Sequence, residues 1–280
     1  MKKIKHAAFL AALMIVLTLA ATSCFTDKKL AKSFVNEGPG IRIVLTPASA
    51  LYKFNHKGEA IENFDSLTVE QQDSALYWSS LFIREISDSL FLESYVNNFL
   101  TELRKLGFTV YITDLIDTSA YEYPQTYVVN MTQLQLDEYF YPYEDEVEYD
   151  DYRYVKSFDL NAIDFSVWYE LSKLKTGTPS TTILYTTHSM TDGMDGRFML
   201  DPFANEVIYR YDIDSVTMSD VMTMAANLGR RHAGYLYDFF LNQYVSFHMP
   251  EGETPFYYYH YNRFHNRFEP VDSERFQWLE

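Results

Sequence analysis

The segment 188–197 contains the residue types of a hydrolytic triad, with His188, Ser189 and Asp192 close together. In such a triad the histidine takes a proton from the serine, and the aspartate orients the histidine. Triads are assembled from distant parts of a chain, however, and the Gly-x-Ser-x-Gly turn of α/β-hydrolases does not occur in this sequence. Two Asp-Gly pairs in the segment are typical of turns. We therefore expect a hairpin loop here, and a hydrolase is the least favoured function.

The segment 137–151 is dense in carboxylates, which are ligands that Ca²⁺ prefers. It lacks the Asp-x-Asp-x-Asp-Gly spacing that wraps a single ion in a calcium-binding loop. A run of like charges is typical of a solvated segment. We therefore expect a loop between two strands, and leave open whether this loop binds a cation.

The histidines lack the spacing of a zinc site. Neither a His-Glu-x-x-His motif nor an i, i+4 histidine pair occurs among His232, His248, His260 and His265. The only cysteine is Cys24, so a thiolate metal cluster and an internal disulfide are excluded. With no Gly-rich phosphate loop either, the sequence predicts no catalytic residues, no metal and no cofactor. In so acidic a chain we expect Arg230 and Arg231 to pair with carboxylates.

The C-terminal segment 249–280 is the best candidate for a contact surface, because protein interfaces are enriched in aromatic residues and arginine. An alternative of equal weight is that this tail covers the open edge of the core. The candidate interaction residues are Tyr257, Tyr258, Tyr259, Tyr261, Arg263, Phe264, Arg267 and Trp278.

The N-terminus has the features of an export signal. Three lysines precede an apolar stretch over residues 7–21, and small residues lead into Cys24. The segment 19–24, Leu-Ala-Ala-Thr-Ser-Cys, resembles a bacterial lipobox, although alanine stands where leucine is commonest, three residues before the cysteine. The resemblance implies cleavage before Cys24, lipid on that cysteine, and anchoring in a membrane.

The residues after Cys24 predict which membrane holds the protein and which side of that membrane it faces. No aspartate follows Cys24 directly, which by analogy with other lipoproteins favours the outer membrane. No acidic run of the kind that directs some lipoproteins to the cell surface follows either, which favours the periplasmic side. Net charge is −16, and loss of the leader removes only basic residues, so we expect no nucleic-acid partner.

The elements in the first half of the chain are predicted from local signals. Residues 41–46 read as a first strand, which 51–55 are expected to continue, and Thr68 with Gln71 forms a capping box that starts a helix. We expect that helix to run to about residue 86 and to resume over 90–106 with one apolar stripe. Gly107 fits a left-handed helix cap. The connection from the first strand to the strand at 108–113 is long enough for these two strands to lie parallel.

The second half is predicted to be mostly strands followed by a helix. Strands are expected at 126–136, 165–171, 180–187 and 207–211, and the segment 256–259 is expected to add an edge strand. A helix over 219–247 carries Ala225, Gly229 and Ala233 at four-residue spacing, which lets its backbone approach a sheet or the other helix closely. The predicted fold class is α+β: a mixed β-sheet with two long helices packed mainly on one face, in the order β-α(α)-β-β-β-β-α.

This element order resembles that of small lipoproteins that assist envelope export and assembly, such as the curli-secretion lipoprotein or auxiliary lipoproteins of lipid and lipopolysaccharide transport. The expected domains are a signal peptide (1–23), a lipid-anchored tether (24–40), an α+β domain (41–248) and an aromatic tail (249–280). The favoured function is a non-enzymatic outer-membrane lipoprotein that binds envelope proteins. The alternative is a surface-exposed glycan- or ligand-binding lipoprotein, which the 24 tyrosines suggest.

Overall fold

The computed structural model describes residues 26–112, 125–149, 151–174, 181–201, 203–204, 206–271 and 275–279. The signal peptide and Cys24 lie outside this range. Four α-helices are described: α1 (26–37), α2 (Val69–Ser79), α3 (Asp88–Lys105) and α4 (Met218–His248). The strands are β1 (Arg42–Thr46), β2 (Leu51–Asn55), β3 (Thr109–Ile112), β4 (Thr126–Tyr149), β5 (Tyr152–Lys173), β6 (Thr181–Thr191), β7 (Gly193–Asp201), β8 (Glu206–Asp214), β9 (Tyr258–Asn262), β10 (Arg267–Val271) and β11 (Gln277–Leu279).

The main sheet is mixed, as predicted. Its strand order is β11-β6-β5-β4-β1-β3, and β2 also pairs with β4. β1 is parallel to both β3 and β4, with Ile43 opposite Val110, so the predicted crossover through α3 is confirmed. β2 is also parallel to β4, whereas β4 with β5, β5 with β6, and β6 with β11 are antiparallel pairs. The chain therefore has the predicted α+β class.

The helices α3 and α4 cover one face of this sheet. Phe165, Val167, Tyr169 and Leu171 of β5 alternate with more polar residues, as predicted, and all four are buried in the main core. α4 crosses α3 at Gly229, where an added Cβ would lie 2.4 Å from the backbone oxygen of Tyr95. The small-residue strip on α4 therefore permits the close approach of the two helices.

α2 begins as predicted but ends early. The capping box between Thr68 and Gln71 is present, and the helix stops at Ser79. The backbone N–H groups of the next turn donate instead to the carboxylate of Glu138, at 2.6 Å for Leu81 and 3.0 Å for Phe82. The prediction that the helix reaches residue 86 is wrong because this carboxylate from β4 takes the donors that a longer helix would use.

The predicted tether is wrong for residues 26–37, which form α1. Ala31 and Phe34 are buried in the main core, and Phe34 packs against Tyr237 and Tyr244 of α4 with ring centroids 5.4 and 5.3 Å apart. The lysines of this segment suggest a solvated linker. Its apolar residues nevertheless lie on one side of a helix, and their burial stabilises that helix.

The predicted loop at 137–151 is also wrong, because most of this segment is strand. β4 continues to Tyr149 and β5 begins at Tyr152, with Asp151 in the left-handed region at φ +66° between them. Tyr139, Tyr141, Tyr143 and Tyr149 lie on one set of alternating positions, which is the period of a strand, and most of the carboxylates between Tyr143 and Tyr149 lie on the other set. The charge density obscured this pattern.

The predicted hairpin loop at 188–197 is a junction between two sheets. β6 runs to Thr191 and β7 starts at Gly193, but β7 pairs with β8 in a separate two-stranded sheet. Asp192 between them is buried, and its carboxylate accepts from the backbone N–H of Asn161 (2.9 Å) and of Val216 (2.8 Å). This aspartate turns the chain by binding neighbouring backbone.

Candidate functional site

The C-terminal tail is folded against the domain, so the predicted interaction residues are divided between core and surface. β9 and β10 form a hairpin on α4, and β11 adds to the edge of the main sheet beside β6. Tyr259 is buried in the core, and Tyr258, Tyr261 and Arg263 are half-buried. The residues that remain exposed are Tyr257, Phe264, Arg267 and Trp278. The predicted edge strand at 256–259 is wrong in its pairing, because β9 pairs with β10 and β11 takes the sheet edge.

Two polar residues of α4 hold β9 in place. The buried carboxylate of Asp238 accepts from Nδ1 of His260 (2.6 Å) and from the backbone N–H of Tyr261 (2.9 Å). The Asn242 side chain both donates to and accepts from the backbone of Tyr259, each at 2.8 Å. Burial raises the pKa of Asp238 although the His260 hydrogen bond opposes this, and the hydrogen bond to Asp238 raises the pKa of His260.

A cavity of about 380 Å³ opens between α4 and this hairpin. We name it the arginine cavity because Arg230, Arg231, Arg263 and Arg275 line it together with His260. Tyr235, Tyr261 and Phe264 add aromatic surface. The tail residues Tyr261, Arg263 and Phe264 were predicted as contact residues, but nothing in the sequence indicated that the fold brings them to Arg230 and Arg231 of α4.

The arginines of this cavity have few carboxylate partners. Arg263 pairs with Glu102 at 2.8 Å. Arg230 donates to the side-chain oxygens of Asn98 (2.7 Å) and Asn227 (2.6 Å), and Arg231 contacts Nδ1 of His188 at 3.3 Å. Within the described ranges neither Arg230 nor Arg231 forms an ion pair, so the prediction that they neutralise surplus acids is wrong.

The residues considered for a hydrolytic triad contact different partners rather than one another. Asp192 binds backbone N–H groups, whereas His188 contacts Arg231, and burial with that arginine lowers the pKa of His188. His232 lies in the core, where its Nδ1 is 2.8 Å from the hydroxyl of Tyr95, which also contacts the Tyr169 hydroxyl. Burial lowers the pKa of His232 to about 3, so its imidazole is neutral at physiological pH.

A buried ion pair lies where β4 leaves the main sheet. The Lys57 ammonium contacts Glu138 Oε1 at 2.6 Å and donates to Asn161 at 2.9 Å. Burial opposes ionisation of Glu138, but Lys57 and the N–H groups of the turn after α2 outweigh it and lower the pKa of this carboxyl. Both ionised side chains are thus satisfied, as buried charges must be.

Beyond this pair, β4 and β5 continue as an arm, which we define as residues 139–149 and 152–161 with the β7–β8 hairpin. At roughly 3.3 Å per residue the strands extend about 35 Å past Glu138. Within the arm, the β7–β8 hairpin packs on β4 and β5. The ring centroid of Tyr211 is 4.7 Å from that of Phe158, and the Tyr209 hydroxyl donates to Asp145. No described residue of the arm belongs to the main core.

Both outer edges of the arm are open beyond its base, where the backbone of Asn161 bonds to Asp192. β2 pairs with β4 only as far as Glu138, and β6 pairs with β5 only as far as Ala162. No other described strand pairs with the segments beyond these points. The exposed apolar side chains of the arm include Tyr141, Tyr152, Val155, Leu200 and Tyr211.

Over the part of the chain that is described, no group of three or more His, Cys, Asp or Glu side chains is arranged to hold a metal ion. No described helix is both long and apolar enough to span a bilayer.

No known protein-family model matches the chain, and no curated protein shows significant sequence similarity to it.

Proposed function

We propose that this chain is a non-enzymatic lipoprotein, anchored in the outer membrane by lipid on Cys24, which binds a protein partner in envelope assembly or transport. The arm is the binding element. The observation that carries the proposal is that the arm extends beyond the core with both strand edges unpaired.

The arm contributes little to the main core, so stability of the domain does not account for its length. Exposed strand edges present unpaired N–H and C=O groups, and proteins normally shorten, cover or charge them. Here the edges are long and no described strand covers them, and exposed apolar side chains stand among the carboxylates. Tyr152, for example, is 70% exposed. An element of this kind suits the addition of an extended segment from a partner.

The charge of the arm selects the partner. On the strands of the arm, carboxylates outnumber basic side chains; the carboxylates include Glu144, Asp145, Glu146 and Glu148. Two copies of the arm would repel each other, which disfavours pairing of this protein with itself. A basic, extended segment of another protein would pair with the strand edge and also neutralise these charges.

Photo-crosslinking in living cells tests this function. A photoreactive amino acid replaces Tyr141 or Tyr152 in the arm, and in a control it replaces Trp78 of α2, which is also 70% exposed. We expect one envelope protein to be captured from the arm positions and not from Trp78. The proposal fails if the arm positions capture no protein, or if Trp78 captures the same one.

The membrane side is tested by adding protease to intact and to lysed cells. We expect the domain to be protected until lysis, because the segment after Cys24 lacks an acidic surface-export run. Rapid digestion on intact cells would overturn the periplasmic placement and move the expected partner to the cell exterior.

A further inference from the structure

We infer that the arginine cavity binds a small anionic ligand of about monosaccharide size, which carries a carboxylate or a phosphate on a ring. This site is separate from the arm, and the inference does not depend on the partner-binding function. It gives a ligand class to the alternative of a ligand-binding lipoprotein.

The charge of the cavity is the first observation. Four guanidinium groups line it against one carboxylate, Glu102, in a chain that carries 39 acidic and 23 basic residues. Glu102 is already paired with Arg263 and lies 3.8 Å from the Lys105 ammonium. Among the described residues, Arg230 and Arg231 form hydrogen bonds only to neutral groups. Arg275 forms no ion pair with a described residue, although it lies close enough to Asp238 to help lower the pKa of that carboxyl. In so acidic a protein, four guanidinium groups around one cavity, two of them without a carboxylate partner among the described residues, indicate a site for an external anion.

The second observation is Gly234, which lines the cavity in the interior of α4. Glycine in a helix costs roughly 0.5–1 kcal/mol relative to alanine, so a mid-helix glycine calls for a reason. At Gly229 the reason is contact with α3, but an added Cβ at Gly234 meets nothing within 4 Å, and its φ is not positive. The side chain that Gly234 lacks would extend into the cavity, and its absence keeps that space open.

The third observation is the chemistry of the walls. Guanidinium groups bind carboxylate and phosphate oxygens through paired N–H donors. His260 also lines the cavity, and its Nδ1 donates to Asp238, which fixes the orientation of the ring. Tyr235, Tyr261 and Phe264 supply apolar surface for a ring, and about 380 Å³ lies within the usual range of small-molecule pockets.

Isothermal titration of the full chain, purified in detergent at low ionic strength, tests the inference with three sugars. The probes are glucuronate, glucose 6-phosphate and neutral glucose. We expect at least one anionic sugar to bind and glucose not to bind. Binding of glucuronate alone identifies a carboxylate ligand, and binding of glucose 6-phosphate alone identifies a phosphate ligand.

A charge-matched pair of variants places the binding in the cavity. Arg231→Gln with Arg275→Gln is expected to weaken the anionic sugar about tenfold or more, because hydrogen bonds to charged groups are lost. Arg197→Gln with Arg210→Gln removes the same charge from exposed positions of the β7–β8 hairpin and should leave affinity within about twofold. Gly234→Leu should abolish binding while α4 keeps its helical circular dichroism signal.

Any one of three results would overturn the inference: neither anionic sugar binds, glucose binds as tightly as the anionic sugars, or the two double variants lose affinity to the same extent. The last result would show that attraction is a property of overall charge rather than of the cavity.

Discussion

Lys57 and Glu138 form an ion pair, 2.6 Å between Nζ and Oε1, with both side chains almost completely buried. They come from the turn after β2 and from the middle of β4, and the same carboxylate accepts the backbone N–H groups of the turn that follows α2. This pair therefore joins three segments at the base of the arm.

Replacing Lys57 with methionine should destabilise the protein by roughly 3–5 kcal/mol, because it leaves the Glu138 carboxylate buried without its counter-ion. Chemical denaturation measures this change. Arg153→Met is the control, since it breaks the exposed pair with Glu146 and should cost at most about 1 kcal/mol. Equal losses in the two variants would show that burial of the Lys57 pair has no special importance.

The same pair should make the protein sensitive to acid. The folded pKa of Glu138 is below its ordinary value of 4.5, so its stabilising contribution is present above pH 4.5 and is lost as the pH falls through the folded pKa. The double variant Lys57→Met with Glu138→Gln removes the titrating group. Its free energy of unfolding should fall less steeply over this range than that of the unaltered protein.

Replacement by alanine should change the stability of the protein in opposite directions at two glycines of α4. Gly229→Ala places a Cβ 2.4 Å from the Tyr95 backbone oxygen and should destabilise the protein by about 1–3 kcal/mol through overpacking. Gly234→Ala meets no atom within 4 Å and should stabilise it by about 0.4–1 kcal/mol. Thermal unfolding of both variants checks the difference, and a loss at Gly234 equal to that at Gly229 would contradict the packing described for α3 and α4.

His232 should make stability depend on pH below neutrality. Burial lowers its folded pKa to about 3 from an ordinary 6.5, so the unfolded chain binds a proton in this window that the folded chain does not. The free energy of unfolding should therefore fall as pH decreases from 6.5 towards 3, by roughly 4–5 kcal/mol at most.

Denaturation of a His232→Asn variant across this window isolates the contribution. The variant should be less stable at pH 7 because it loses core packing, but its stability should change less with pH. His265→Asn serves as the control, because it removes an exposed histidine. A pH slope in His232→Asn as steep as in the unaltered protein would assign the dependence to other groups.

Cys24→Ala should abolish both lipid attachment and membrane association. Metabolic labelling with palmitate should mark the unaltered protein and not the variant, because Cys24 is the only thiol in the chain. A Ser23→Ala variant keeps the cysteine and should still be labelled. Label retained in Cys24→Ala would disprove the lipobox interpretation.

Features that depend on near neighbours in the chain could be predicted. The Thr68–Gln71 capping box, the left-handed Gly107 after α3, and the alternation from Phe165 to Leu171 each arise within a few residues. Because local backbone geometry and side-chain period decide these features, they led to the correct α+β class and to the two long helices.

Errors arose where composition competed with a weak local signal. Lysines in α1 and carboxylates in β4 predicted solvated segments, although each contains the spacing of its actual element. The burial of Phe34 against α4 stabilises α1, and pairing with β5 stabilises β4 along the arm. These contacts outweigh the preference of the charged residues for a solvated loop. Both depend on partners far away in the sequence.

The sequence by itself determined the elements with strong local signals, the fold class, and the acidic charge and single cysteine of the chain. Only the tertiary structure decided that Glu138 serves as a buried anchor for the turn after α2, and that arginines of α4 and of the tail line one cavity. The physical reason is distance along the chain. Propensity and periodicity act over a few residues, whereas a buried ion pair or a cavity exists only after segments tens of residues apart have packed together.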